Sequence, residues 1–204
     1  MNKIKFLLIW CLAVGTLMSC GKEDDPEAAP GAELDYLPTT TGSTWTYGGI
    51  SPYTLTVTGT TSVINGKTYH EMESKQGTSV NKSYVLKEKG VYTAVGMVPA
   101  VGSLEIAILK EETPVGEPWE QTTSINGIDT KMTLTIVEKN VSKTVEGKTY
   151  NNVINVKMET SYIFMGEDLG VGLTTHYYFS KGIGLILSDF GANGQVPLLT
   201  YNIK

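Results

Sequence analysis

The stretch Gly42-Ser43-Thr44-Trp45 returns as Gly116-Glu117-Pro118-Trp119, and Thr54-Leu55-Thr56-Val57 returns as Thr133-Leu134-Thr135-Ile136. Gly66-Lys67-Thr68-Tyr69 recurs unchanged as Gly147-Lys148-Thr149-Tyr150, and Lys89-Gly90-Val91 has its counterpart in Lys181-Gly182-Ile183. Four elements in the same order mark an internal duplication, with copies over about residues 39–113 and 114–204. Any fold assigned to one copy must therefore serve the other, and the two must share a core. The spacing between equivalent elements grows along the chain. The largest insertion falls between Tyr150 and Tyr177, around the glycine-rich Met165-Gly166-Glu167-Asp168-Leu169-Gly170.

Within each copy the apolar period is two. Leu55 and Val57 share a face, as do Met132, Leu134 and Ile136, and Ile154, Val156 and Met158. Leu104, Ile106 and Ile108 alternate with Glu105 and Ala107, and Leu199, Tyr201 and Ile203 alternate near the end of the chain. Alternation of this kind marks half-buried strands. Asn65-Gly66, Asn126-Gly127 and Asn193-Gly194 supply the positive φ angles of two-residue hairpins, and Glu146-Gly147 stands where Asn65-Gly66 stands. Only Val98 to Lys110 reads ambiguously enough for a short helix. His70-Glu71-Met72-Glu73-Ser74, polar on both faces apart from Met72, reads as an edge strand guarded by charge.

The expected fold is all-β. About ten to twelve strands joined by short turns form an antiparallel meander, and a meander that long must curl or close. A strongly curved sheet or barrel is expected, with a two-sheet β-sandwich as the alternative.

Before the duplicated region stands a leader. Met1-Asn2-Lys3-Ile4-Lys5 is cationic and Phe6 to Val14 is apolar, a run short of the ~20 residues of a membrane-spanning helix. Leu17-Met18-Ser19-Cys20 resembles the lipobox of bacterial lipoproteins. The resemblance implies cleavage after residue 19 and lipid chains on the thiol and freed amine of Cys20. Several acyl chains anchor firmly where one holds only weakly. Lys22-Glu23-Asp24 resembles the export tag of surface-displayed lipoproteins of the Bacteroidota. Gly42-Ser43-Thr44-Trp45-Thr46-Tyr47 and the segment Tyr177 to Ile186 are similar to the opening and the closing strand pair of uncharacterised lipoproteins of that phylum. This likeness spans most of residues 40–190 and brings no catalytic residues with it. It implies an outer-membrane protein held at the cell surface, with the periplasmic face as the alternative.

Residues 1–19 then form the signal peptide, 20–38 a disordered acidic tether, and 39–204 a single β domain. Losing Lys3 and Lys5 takes the formal charge from −5 to −7; the tether holds −5 of it and leaves the domain near neutral. The chain contains no arginine, which makes nucleic acid a poor partner. Cys11 and Cys20 are the only cysteines, so a mature domain has no disulfide, cysteine nucleophile or cysteine metal site. No cofactor or metal is implied.

The candidates for chemistry are sparse. His70 sits beside glutamates and His176 precedes Tyr177-Tyr178-Phe179, neither at ligand spacing from a second histidine. No nucleophile elbow occurs. Glu111-Glu112 and Glu167-Asp168 read as solvated acids. Trp45 and Trp119 occupy equivalent slots, as do Tyr69 and Tyr150, which argues for core positions over sugar-stacking platforms. The sequence thus points to a non-catalytic module that binds a glycan, protein or host component. Two further readings stay open: a carrier of an apolar ligand inside the curved sheet, and a carboxylate hydrolase.

Overall fold

A computed structural model describes residues 34–98, 102–125 and 128–204. The leader, Cys20 and Lys22-Glu23-Asp24 lie outside the described residues. The first copy contributes β1 (Thr44–Tyr47), β2 (Tyr53–Ile64), β3 (Lys67–Gln76), β4 (Ser79–Glu88), β5 (Val91–Val98) and β6 (Gly102–Lys110). The second contributes β7 (Pro118–Ile125), β8 (Ile128–Val145), β9 (Lys148–Phe164), β10 (Glu167–Ser180), β11 (Gly184–Asp189) and β12 (Gln195–Asn202). All neighbours are antiparallel in one 12-stranded sheet of order β6-β5-β4-β3-β2-β1-β12-β11-β10-β9-β8-β7. The sheet curls into a nearly closed barrel, which settles the choice against the sandwich. Among the described residues the only helix is a single turn, Gly191–Asn193.

The hairpins follow from the turn chemistry. Asn65-Gly66 and Glu146-Gly147 both carry two positive φ angles, as do Lys89-Gly90 and Met165-Gly166. That backbone matches the twist of the strands on either side. The insertion in the second copy lengthens β9 and β10 to 17 and 14 residues against 10 each for β3 and β4. Asn193-Gly194 departs from the two-residue hairpin: it ends the helical turn between β11 and β12, and only Gly194 has a positive φ. Asn126-Gly127 lies outside the described residues.

Four other expectations change. The stretch read as ambiguous enough for a helix contains the strand β6. β3 lies inside the sheet, not at an edge, paired with both β2 and β4. Its Glu71 is buried because Lys82 Nζ (3.0 Å) and the Thr58 hydroxyl (3.1 Å) both meet the carboxylate. In β12 the apolar phase is offset. Thr46 faces Thr200 but Tyr47 faces Leu198, so a bulge pushes Leu199 out to 48% exposure while Leu198 is buried. Finally, packing begins before residue 39. Tyr36 is 3% exposed, and Gly182 N–H donates to the Asp35 carbonyl at 2.8 Å. Burial of a ring that size contributes about 2 kcal/mol, part of what offsets the ordering cost of about 1–2 kcal/mol per residue in this otherwise acidic stretch.

An up-and-down path sorts the turns to two ends. Residues 34–43, the turns at 65–66, 89–90, 111–117, 146–147 and 181–183, and the C-terminus share one end. The turns at 48–52, 77–78, 165–166 and 190–194 share the other. Asp35 to Pro38 cross the first end as a strap. Its main-chain N–H at Tyr36 donates to the Tyr92 hydroxyl (3.2 Å), Asp35 pairs with Lys87, and the Tyr36 ring meets Tyr92 edge-on at 6.2 Å.

Candidate functional site

Inside the curl lies a cavity of about 260 Å³. Residues of nine of the twelve strands reach it, so it is the interior of the barrel. Leu37 and Pro38 of the strap form its floor, and Trp45, Tyr47, Phe179 and Leu185 surround its lower part. Higher up, Tyr53, Met72, Ser83, Ile106, Met158 and Tyr177 complete the wall. The period-two alternation of β2, β6, β8 and β9 turns these apolar side chains to one face, and closure of the sheet makes that face concave.

The polar atoms nearest the floor are committed to the fold. Trp45 Nε1 donates to the Ile183 carbonyl at 2.7 Å, and the Tyr47 hydroxyl donates to the Leu185 carbonyl at 2.8 Å. The Tyr47 and Tyr53 rings stack with centroids 4.6 Å apart. Burial pushes the Tyr47 phenol well above its ordinary range and the Tyr53 phenol up to about 12; Tyr177 is raised for the same reason. Burial of a phenol away from water disfavours its charged form.

At the far end a groove of about 370 Å³ adjoins this space. Ile50, Ser51, Leu173, Phe190 and Asn193 border it, and Tyr53 belongs to the walls of both.

The candidates singled out from sequence scatter. Trp45 and Trp119 are 3% and 7% exposed, and Tyr69 and Tyr150 are buried as well, so none forms an exposed platform. His176 Nδ1 is 3.1 Å from Asn155 Oδ1, and Asn155 Nδ2 donates to Glu138 Oε2 at 2.8 Å; this chain of bonds pins β8, β9 and β10 together. His70 and His176 are not brought together at any metal-binding cluster: among the described residues no group of three or more His, Cys, Asp or Glu could hold an ion. Glu111 is buried against the Tyr92 hydroxyl (3.1 Å), and its main-chain carbonyl accepts from Lys139. No carboxylate of Glu111, Glu112 or Glu167 reaches the cavity wall. What the sequence reading missed is Tyr53, Met158 and Tyr177 as parts of one wall, and Leu37-Pro38 as its floor. The apolar triplet Tyr36-Leu37-Pro38 amid acids was the available signal for the floor.

No protein-family model matches the sequence, and comparison with curated proteins gives no match either. One solved structure is similar: a crystal structure described as "a putative lipoprotein" from Parabacteroides distasonis, at 12% identity and a TM-score of 0.50. The match covers 84% of this chain and 100% of that one. At that identity the likeness concerns the fold alone.

Proposed function

We propose that the protein is a non-catalytic, lipid-anchored lipoprotein whose barrel holds a small apolar ligand. The observation that carries the reading is the cavity of about 260 Å³, whose wall contains no charged residue among the described residues. Ligand pockets begin near roughly 300 Å³, and much smaller apolar cavities remain dry and take up apolar molecules. Trp45 and Trp119 are buried, so neither offers a ring platform for a glycan. The Leu17–Cys20 lipobox, together with a similar fold in a protein described as a lipoprotein, supports the anchor. The described chain enters at the floor end, and this supports a reading in which a lipid-anchored N-terminus leaves the groove facing away from the membrane. Lys22-Glu23-Asp24 supports display at the surface of an outer membrane.

Two measurements test this. Labelling with a radioactive fatty acid should mark the protein, and Cys20→Ser should abolish the label; a labelled variant would refute the anchor. The full chain carrying Cys20→Ser, free of detergent, should enhance the fluorescence of N-phenyl-1-naphthylamine. Val85→Phe, which fills the cavity at a cost of about 1–3 kcal/mol in stability, should weaken that enhancement while retaining the β-sheet circular dichroism. Probe binding unchanged in a folded Val85→Phe protein, or no binding at all, would sink the carrier reading.

A further inference from the structure

We infer that the interior site selects uncharged amphiphiles, with the apolar body in the barrel and the polar end directed past Tyr53 into the far-end groove. This inference rests on the carrier reading and adds the chemical class of the ligand.

Three observations lead to it. First, among the described residues neither the cavity nor the groove is bordered by a lysine, aspartate, glutamate or histidine. An ionised head drawn into the cavity would lose its hydration and meet no counter-charge, which opposes entry, and the groove's lining offers it no counter-charge either. Second, the chain's own titratable groups on that wall show how the site treats charge. Tyr47, Tyr53 and Tyr177 are all held in their neutral form, in each case chiefly by burial. The same desolvation acts on any carboxylate or ammonium that a ligand brings. Third, the wall does carry hydrogen-bonding groups, unevenly placed. Those near the floor, Trp45 Nε1 and the Tyr47 hydroxyl, are spent on main-chain carbonyls. The other hydroxyls on the wall belong to Ser83, Tyr53 and Tyr177, the last beside Thr175, and beyond Tyr53 the groove adds Ser188, Asn193 and Ser51, whose Oγ accepts from Gln76 Nε2 at 3.0 Å. Polarity therefore rises from the strap toward the groove without charge appearing. That gradient suits a molecule with one alcohol, ester or carbonyl end.

Tyr53 is the element that joins the two spaces. Its ring stacks on Tyr47 and stands in both walls, so its size sets how far a ligand extends toward the groove.

The test displaces N-phenyl-1-naphthylamine from the full chain carrying Cys20→Ser, using one ten-carbon chain with four different heads. At about pH 8, where a carboxylate is ionised and an amine protonated, decanol and methyl decanoate should compete at least about tenfold better than decanoate or decylammonium, a difference of about 1.4 kcal/mol. Tyr53→Ala should narrow the preference for ten carbons over longer neutral chains, because the two spaces then merge. Equal competition by decanoate or decylammonium would overturn the inference while leaving the carrier reading intact. Failure of the probe to bind at all would remove both. Probe binding that decanol and methyl decanoate do not displace would also overturn the inference, since the probe would then sit outside the neutral interior.

Discussion

The two copies of the repeat meet twice, and the two meetings are built differently. Where β1 meets β12, a main-chain ladder runs from Thr44 opposite Asn202 to Tyr47 opposite Leu198. The duplicated counterpart of that junction is β6 beside β7. There, among the described residues, no main-chain hydrogen bond joins the strands. Side chains of β7 do the joining instead. Trp119 Nε1 donates to the Ala107 carbonyl at 2.8 Å, and Gln121 Oε1 accepts from the Ala107 N–H at 3.1 Å. Lys110 Nζ of β6 also sits 5.7 Å above the Trp119 ring. Trp and Gln together offer Ala107 the donor and acceptor that a neighbouring strand residue would offer. The sequence shows why the second junction cannot copy the first. Pro118 stands where Thr44 stands and brings no N–H to the edge, and proline is confined to strand starts and edges for that reason. Gln121 stands where Tyr47 stands, with a side chain long enough to cross a gap. One seam is thus closed by main chain and the other laced by side chains, and the laced one borders the cavity through Ile106 and Ile108.

The largest test of this contrast is a pair of truncations. Trp45→Ala and Trp119→Ala should each cost about 3–5 kcal/mol, read from the denaturant midpoint, since each removes a buried indole. Their local effects should differ. With Trp119 gone, amide exchange in β6 should become faster than global unfolding allows, because of the two bonds to Ala107 across that edge only the one to Gln121 is left. With Trp45 gone, the β1–β12 amides should still exchange only on global unfolding. Identical exchange behaviour in the two variants would mean that the seams are equivalent after all.

Much of this molecule was legible because it is local. Period-two runs and positive-φ dipeptides involve residues a few positions apart, and they set the class of fold and the hairpins at Asn65-Gly66 and Glu146-Gly147. What escaped depends on closure. The phase of β12 was lost to a bulge opposite Thr46 and Tyr47, which only the pairing partner reveals. β3 read as an edge because Glu71 looks solvated until Lys82 and Thr58 are brought alongside it. The cavity is the extreme case: an empty volume is a property of many side chains that converge from nine strands, and no sequence window contains it. The strap was hidden for a related reason, because Tyr36, Leu37 and Pro38 are outnumbered by acids until a barrel end is present to bury them.

A second, smaller test loosens β6 from its other side. The Tyr69 hydroxyl donates to Glu105 Oε1 of β6 at 2.9 Å, and Asn65 Nδ2 donates to Oε2 at 3.2 Å. Burial, followed by the bond to Glu105, pushes the Tyr69 phenol up to about 12. A folded value raised above the unfolded one means the protonated phenol stabilises the fold. That contribution is whole below the unfolded value of ~10 and fades as pH rises toward about 12. Exchange at β6 should therefore quicken between those limits ahead of exchange at β12, and Tyr69→Phe should remove the dependence. A pH response of equal size at both seams would detach it from Tyr69.

The smallest effect belongs at a junction where both copies keep the same backbone and only the residue differs. Asn65 has φ 51° and Glu146 has φ 48°, each followed by a glycine with φ near 78°. Asparagine tolerates this left-handed region because its short side chain bonds locally, whereas glutamate has no such compensation. Glu146→Asn should thus stabilise the second copy by roughly 0.5 kcal/mol, and Asn65→Glu should destabilise the first by a similar amount. Thermal or denaturant midpoints check both. Because the β8–β9 ladder is intact on either side of its turn, Glu146→Asn should leave exchange at the β6–β7 edge unchanged. If Asn65→Glu did quicken exchange in β6, the bond from Asn65 Nδ2 to Glu105 would be part of what holds the laced seam. The contrast between the seams would then extend beyond Trp119 and Gln121 to the β2–β3 turn.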